Sequence, residues 1–276
     1  MAHETHVKTL PAELGAPAFV DGWQTRALTV GVVFSVIAAG LAFADGSIDH
    51  VLRAWVLGLM LTFGFAVGGL ALLMVQYCSG GKWGLLLRRP LEAMSRTLSL
   101  VFIYWLVVAF SLKRLYLWAQ VGDVAAALKS GFISEAQAHA IEFKRPMLNP
   151  AAFIGVSLLC FAIWWLYTLR LNALGLRRDA DSPANTPFRI KKLENISGPG
   201  IVVYALTMTA AAIYWVMSLD PTWYSSVYGL LFLVGQIYSV LALSIIVSIG
   251  LSKPSRSTPC CARPSSMTWA SLRSLS

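Results

Sequence analysis

Residues 197–251 read SGPGIVVYALTMTAAAIYWVMSLDPTWYSSVYGLLFLVGQIYSVLALSIIVSIGL, two long apolar runs flanking the short polar break Ser218-Leu219-Asp220-Pro221. A helix rises about 1.5 Å per residue and the hydrocarbon layer of a bilayer is about 30 Å thick, so the runs at 200–219 and 226–251 can each cross it. Asp220 then lies where a charge is costly unless the membrane–water boundary or a buried partner accommodates it.

The rest of the chain has the same character. Of 276 residues, 57% are hydrophobic and only 13% charged, with 22 Lys and Arg against 13 Asp and Glu, and the mean hydropathy is +0.66. A soluble domain carries roughly twice that charged fraction, so these residues cannot cover a water-facing surface. The fold class expected is all-α, a polytopic membrane bundle of about six transmembrane helices. The net charge of +9 does not point to nucleic acid, because the basic residues cluster at the ends of apolar runs.

In order, the expected organisation is a polar tail at 1–25, spans at 27–44, 54–77, 98–119, 151–169, 200–219 and 226–251, and a helical excursion at 120–149 lying on the membrane surface. The tail has no signal-peptide core. Gly64, Gly68 and Gly69 give the second span a small-residue strip against which another helix can pack closely. In the basic segment that follows, Pro90 suits a first helical turn, Glu92 then sits near the positive end of the helix dipole, and Glu92 and Arg96 are spaced to pair. Lys113 and Arg114 interrupt the third span, and Ser134 with Gln137 forms a capping-box pattern in the excursion. All 22 basic residues except Arg53, Lys113, Arg114, Lys129, Lys144 and Arg145 fall on the side of the N-terminus. The positive-inside bias therefore places both termini in the cytoplasm, and Asp220 and the excursion on the outer face.

The hairpin carries the main candidates for chemistry. Tyr204, Thr207, Ala211, Tyr214 and Ser218 recur at helical spacing, a stripe with four hydroxyls that must face protein or water rather than lipid. It could carry protons or contact a quinone head group, or simply hydrogen-bond between helices. Asp220 reads as the N-cap of a helix starting at Pro221, with Trp223, Tyr224 and Tyr228 as an interfacial belt. Asp220 and Tyr224 are also candidates for a proton or quinol pathway, as are Glu92 and Arg96.

His3, His6, His50 and His139 all lie outside the expected spans. A bis-histidine haem within the bundle is therefore excluded, and no histidine-rich copper or di-iron site is expected. Cys78, Cys160, Cys260 and Cys261 make neither a CxxC pair nor a haem-attachment motif. No dinucleotide fingerprint, P-loop or nucleophile elbow is present. No catalytic residue, metal ligand or covalently bound cofactor is assigned.

After Leu251 the sequence changes to SKPSRSTPCCARPSSMTWASLRSLS, which reads as a disordered tail translated out of frame. Met267-Thr268-Trp269-Ala270 requires ATG-ACN-TGG-GCN. Shifted by one base, these codons force Asp and Gly and permit His-Asp-Leu-Gly, an ordinary lead-in to a further membrane helix. The expectation is a frameshift that truncates a longer product at 252–276.

The segments Arg88-Arg-Pro-Leu-Glu-Ala-Met-Ser-Arg-Thr-Leu98, Leu115-Tyr-Leu-Trp-Ala119, Lys144-Arg-Pro-Met-Leu-Asn149, Phe161-Ala-Ile-Trp164, Ser197-Gly-Pro-Gly200, Leu206-Thr-Met-Thr209 and Ser218-Leu-Asp-Pro-Thr-Trp-Tyr-Ser225 together resemble the F subunit (quinone-binding subunit 2) of alternative complex III, the bacterial quinol:cytochrome c oxidoreductase. The resemblance implies a polysulfide-reductase-type membrane subunit whose second four-helix bundle is incomplete here. It implies the bacterial inner membrane and quinone or menaquinone as ligand. The implied partners are a paralogous quinol-oxidising membrane subunit, an iron–sulfur subunit and c-haem subunits. A small secondary transporter and a purely structural scaffold subunit are the alternative functions. Spans one to three show no repeat relating them to spans four to six, which weighs against the transporter.

Overall fold

The computed structural model describes residues 18–44, 48–80, 83–180 and 186–252. These residues form helices α1 (Ala18–Ala44), α2 (Ile48–Ser79), α3 (Trp83–Arg96), α4 (Leu98–Phe110), α5 (Leu112–Leu115), α6 (Leu117–Gln120), α7 (Val124–Lys129), α8 (Glu135–Lys144), α9 (Pro150–Ala180), α10 (Thr186–Trp215) and α11 (Tyr228–Ser252), with no strand among them. This is the expected all-α class. Among the described residues five stretches are long and apolar enough to cross a membrane: Ile48–Ser79, Leu87–Phe110, Pro150–Arg178, Pro187–Leu219 and Tyr228–Gly250. The expected first span lies within α1, part of whose side chains fall outside the described residues. Of the segment 252–276, expected to be out of frame, all but Ser252 lies outside them as well. The chain divides into two compact units, one containing α1 through Leu41 and the end of α11 from Ile249, the other Ala42–Ser248.

Within the larger unit, α2 packs against α3, α4, α9 and α10. It is the central helix, with 67% of its apolar window buried against 17% for α11. The glycine strip makes this possible. A Cβ on Gly68 would stand 3.0 Å from Gln236 and Val240 of α11, and one on Gly69 would stand 3.0 Å from Met94 of α3. The small-residue strip is therefore a packing surface on two sides.

The core is aromatic. Phe63, Trp105, Phe153, Phe161, Trp164 and Trp215 are each almost wholly buried. Ring centroids lie 5.0 Å apart for Phe63–Trp215, 5.2 Å for Phe63–Trp164 and 5.6 Å for Phe161–Trp164. Such pairs add to the area each ring removes from lipid or water. The polar edges of two indoles are met: Trp164 Nε1 donates to Thr207 Oγ1 at 2.9 Å and Trp215 Nε1 to Ser157 Oγ at 2.8 Å.

Three boundaries differ from expectation. Helix α3 begins at Trp83, so Pro90 lies in its interior rather than in its first turn. A proline there removes one i→i−4 bond, and the helix runs on through it. The third crossing is Leu87–Phe110 and not 98–119. It ends at Ser111 because Lys113 and Arg114 belong to a separate turn of helix, where Arg114 lies 3.9 Å from Asp49. Helices α9 and α10 also run beyond their expected spans, meeting the five residues at 181–185 with basic ends. The capping box is as expected: Ser134 Oγ accepts from Gln137 N–H and Gln137 Oε1 from Ser134 N–H.

Candidate functional site

The hairpin break is not a helix start. After Trp215 the chain makes a short 3₁₀ turn, Met217–Leu219, and α11 begins only at Tyr228. Asp220 therefore caps no helix at Pro221. Its carboxylate instead accepts the Thr222 hydroxyl at 2.6 Å and the Thr222 N–H at 2.9 Å, closing an Asx turn. The Thr222 hydroxyl, the backbone N–H groups of Thr222 and Trp223, and nearby Lys144 hold the Asp220 carboxyl below the usual carboxylate range.

This turn forms one wall of a cavity of about 710 Å³. The second wall comes from α8: His139, Phe143 and Lys144, continued by Met147 and Leu148. Met217, Ser218, Trp223 and Tyr224 face them. The walls are joined by Lys144, whose Nζ donates to the Pro221 carbonyl at 2.7 Å and sits 5.8 Å above the Tyr224 ring. The His139 ring stacks on Phe143, with centroids 6.5 Å apart. A cavity of this size, apolar with a few polar tips at one end, suits an amphipathic ring compound.

Of the residues singled out in the sequence, Asp220, Tyr224 and Ser218 belong to this region. Tyr214 stands beside it, its hydroxyl donating to the Met147 carbonyl at 3.3 Å. Of the opposite wall, Lys144, Met147 and Leu148 lie in a segment that carries the resemblance, whereas His139 and Phe143 lie some 80 residues from Asp220 and read in the sequence only as part of a surface helix.

The hydroxyl stripe faces protein, as its spacing predicts, and every hydroxyl is engaged. Tyr204 donates to Gln236 Oε1 at 2.9 Å, Thr207 donates to the Val203 carbonyl while accepting from Trp164, and Ser218 donates to the Tyr214 carbonyl. The stripe is a set of stitches, two of them joining α10 to α9 and α11.

Glu92 and Arg96 form no part of the Asp220 region and do not pair with each other. Side chains on a helix tilt toward its N-terminus, and Glu92 reaches back to Arg89 Nη1 at 3.1 Å and Arg88 Nε at 3.7 Å. Tyr77 donates to its Oε1 at 3.4 Å. Arg96 turns to α9 and donates to Asn172 Oδ1 at 3.0 Å. Asn172 in turn donates to Ser95 Oγ and to the Thr168 carbonyl. Glu92 is 2% exposed, and a Cβ on Gly175 of α9 would stand 2.8 Å from its Oε1. The carboxylate is enclosed by α2, α3 and α9.

Among the described residues no three His, Cys, Asp or Glu side chains gather as a metal-ligand set. No protein-family model matches the chain, and no curated protein matches it significantly.

Proposed function

We propose that this chain is an integral membrane subunit of a respiratory quinol:cytochrome c oxidoreductase of the alternative complex III kind. It would support quinol oxidation or proton movement without a redox metal of its own. The observation that carries this is the cavity at Asp220. Two of the family-like segments, Lys144–Asn149 and Ser218–Ser225, build it together, joined by the Lys144 bond to Pro221.

On this reading the Asp220 end faces outward across the bacterial inner membrane and both termini are cytoplasmic, as the basic residues suggest. A quinol supplies two electrons and two protons on oxidation. The residues present fit such a ring: Phe143, Met147, Met217 and Trp223 give apolar walls, and His139 offers a ring nitrogen with no hydrogen-bond partner among the described residues. Asp220, exposed and held ionised, stands at the water boundary where a released proton would leave. The electron-accepting partners would be the iron–sulfur and c-haem subunits, beside a paralogous membrane subunit.

In mild detergent the chain should co-purify with c-type haem and iron–sulfur absorbance, and Asp220→Asn should slow quinol:cytochrome c turnover of the assembled complex. Purification alone, together with solute transport in liposomes, would replace this reading with the transporter. A scaffold role has one observation in its favour, the full engagement of the hydroxyl stripe. Unchanged turnover in Asp220→Asn and His139→Ala, within a complex that still requires the chain, would establish it.

A further inference from the structure

At the end of the bundle away from Asp220, a hollow of about 220 Å³ opens between α9 and α10. Leu166, Tyr167 and Arg170 line it from α9, and Asn195, Ile196 and Pro199 from α10. The two helices run antiparallel, as the bonds Trp164–Thr207 and Trp215–Ser157 require. Toward the bilayer interior, Arg170 is therefore followed by Leu166 and Leu159, and Asn195 by Pro199, Val202 and Leu206. Leu159, Leu166, Val202 and Leu206 are all strongly exposed. In the other direction lie Arg177, Arg178, Arg189, Lys191 and Lys192.

We propose that this hollow binds the head group of an anionic phospholipid, with Arg170 holding the phosphate and the acyl chains lying along the exposed rows of α9 and α10. Arg170 is exposed and enters no ion pair or side-chain hydrogen bond among the described residues, so its planar guanidinium is available for two-pronged contact with a phosphate. Pro199 has no N–H to give the Asn195 carbonyl. That oxygen and the exposed Asn195 amide therefore offer an acceptor and a donor beside the cation, which suits a head group bearing hydroxyls. The basic rim favours an anion over a zwitterion, whose own cation it would repel. The ordering of the groups also suits a lipid: charge at the membrane edge, then an aromatic ring at Tyr167, then two apolar rows leading inward. The site requires only that the chain spans a bilayer and is independent of any role in quinol oxidation.

Native mass spectrometry of the full chain in neutral detergent tests this, with phosphatidylglycerol and phosphatidylcholine of identical acyl chains as probes. One well-placed cation is worth about fivefold in affinity near a membrane surface. Phosphatidylglycerol should be retained about fivefold or more over phosphatidylcholine, and Arg170→Gln should remove that preference. Ile196→Trp fills the hollow without changing charge and should weaken retention as much. The pair Lys191→Gln and Lys192→Gln, which removes two rim charges outside the hollow, should weaken it less. Glycerol phosphate, which has no acyl chains, should not compete. Equal retention of the two lipids would overturn the proposal. So would an Arg170→Gln effect no larger than that of the lysine pair, which would indicate a general basic rim. Effective competition by glycerol phosphate would also overturn it, by indicating a free-phosphate site.

Discussion

Glu92 and Asp220 are both carboxylates at the ends of membrane-crossing helices, and the molecule treats them in opposite ways. Glu92 is closed in by Arg88, Arg89, Tyr77 and the bare backbone of Gly175, with Ser95, Arg96 and Asn172 in a second polar chain beside it. Asp220 is open to solvent and held by Thr222, which with Pro221 lines an apolar cavity that Asp220 itself does not line. The first carboxylate ties three helices together and leaves no room for a ligand. The second contributes little to packing and is next in sequence to residues that line an open cavity. An acidic residue near a membrane surface is thus informative only once its neighbours are known.

The sharpest way to break this contrast is Glu92→Gln. It leaves the largely buried Arg88 beside a neutral amide, while the exposed Arg89 can turn to water; loss of one partner of a buried pair typically costs about 3–5 kcal/mol, and the low end of that range is expected here. A large fall in thermal stability in detergent is expected. A shift no larger than that of a surface substitution would make Glu92 another open carboxylate. Thr207→Val probes the interior between the two ends. It strips the acceptor from Trp164 Nε1, which is buried, and should cost about 1–3 kcal/mol, read from the same melting curves. Asp220→Ala should move the melting temperature least, by about 0.5 kcal/mol or less, because the group is exposed. On the proposed function, its effect belongs in turnover of the assembled complex.

The pH dependence separates the ends as well. The folded-state pKa of Asp220 is lowered, so its contribution to the turn is present above the ordinary carboxylate value of about 4 and is lost as pH falls through the lowered one. Protease cleavage at the Asp220–Tyr224 turn should accelerate only below about pH 4. Cleavage independent of pH there would mean that the Thr222 contacts do not hold the turn.

Much of this architecture was legible in the residues. The crossings of α2, α9, α10 and α11 follow from apolar length, the burial of the hydroxyl stripe from its spacing of three and four, and the start of α8 from its capping box. What was not legible depends on contacts between distant segments. Arg96 has Glu92 one turn away, yet bonds to Asn172 on another helix. The Asp220 cavity needs α8 to fold over the turn, which no local pattern announces. Pro90 and Asp220-Pro221 misled for a common reason: a proline suits a helix start but does not require one. In α3 the upstream residues were already helical, and after Asp220 the Asx turn sends the chain elsewhere.

The close approach of Gly175 to Glu92 constrains how this chain can change over evolutionary time. Any side chain at position 175 would occupy the volume now held by the carboxylate oxygen, 2.8 Å from where its first carbon would stand. The two positions are therefore coupled: a side chain gained at 175 would require the Glu92 carboxylate, the far end of a flexible side chain, to shift, and with it the contacts to Arg88, Arg89 and Tyr77.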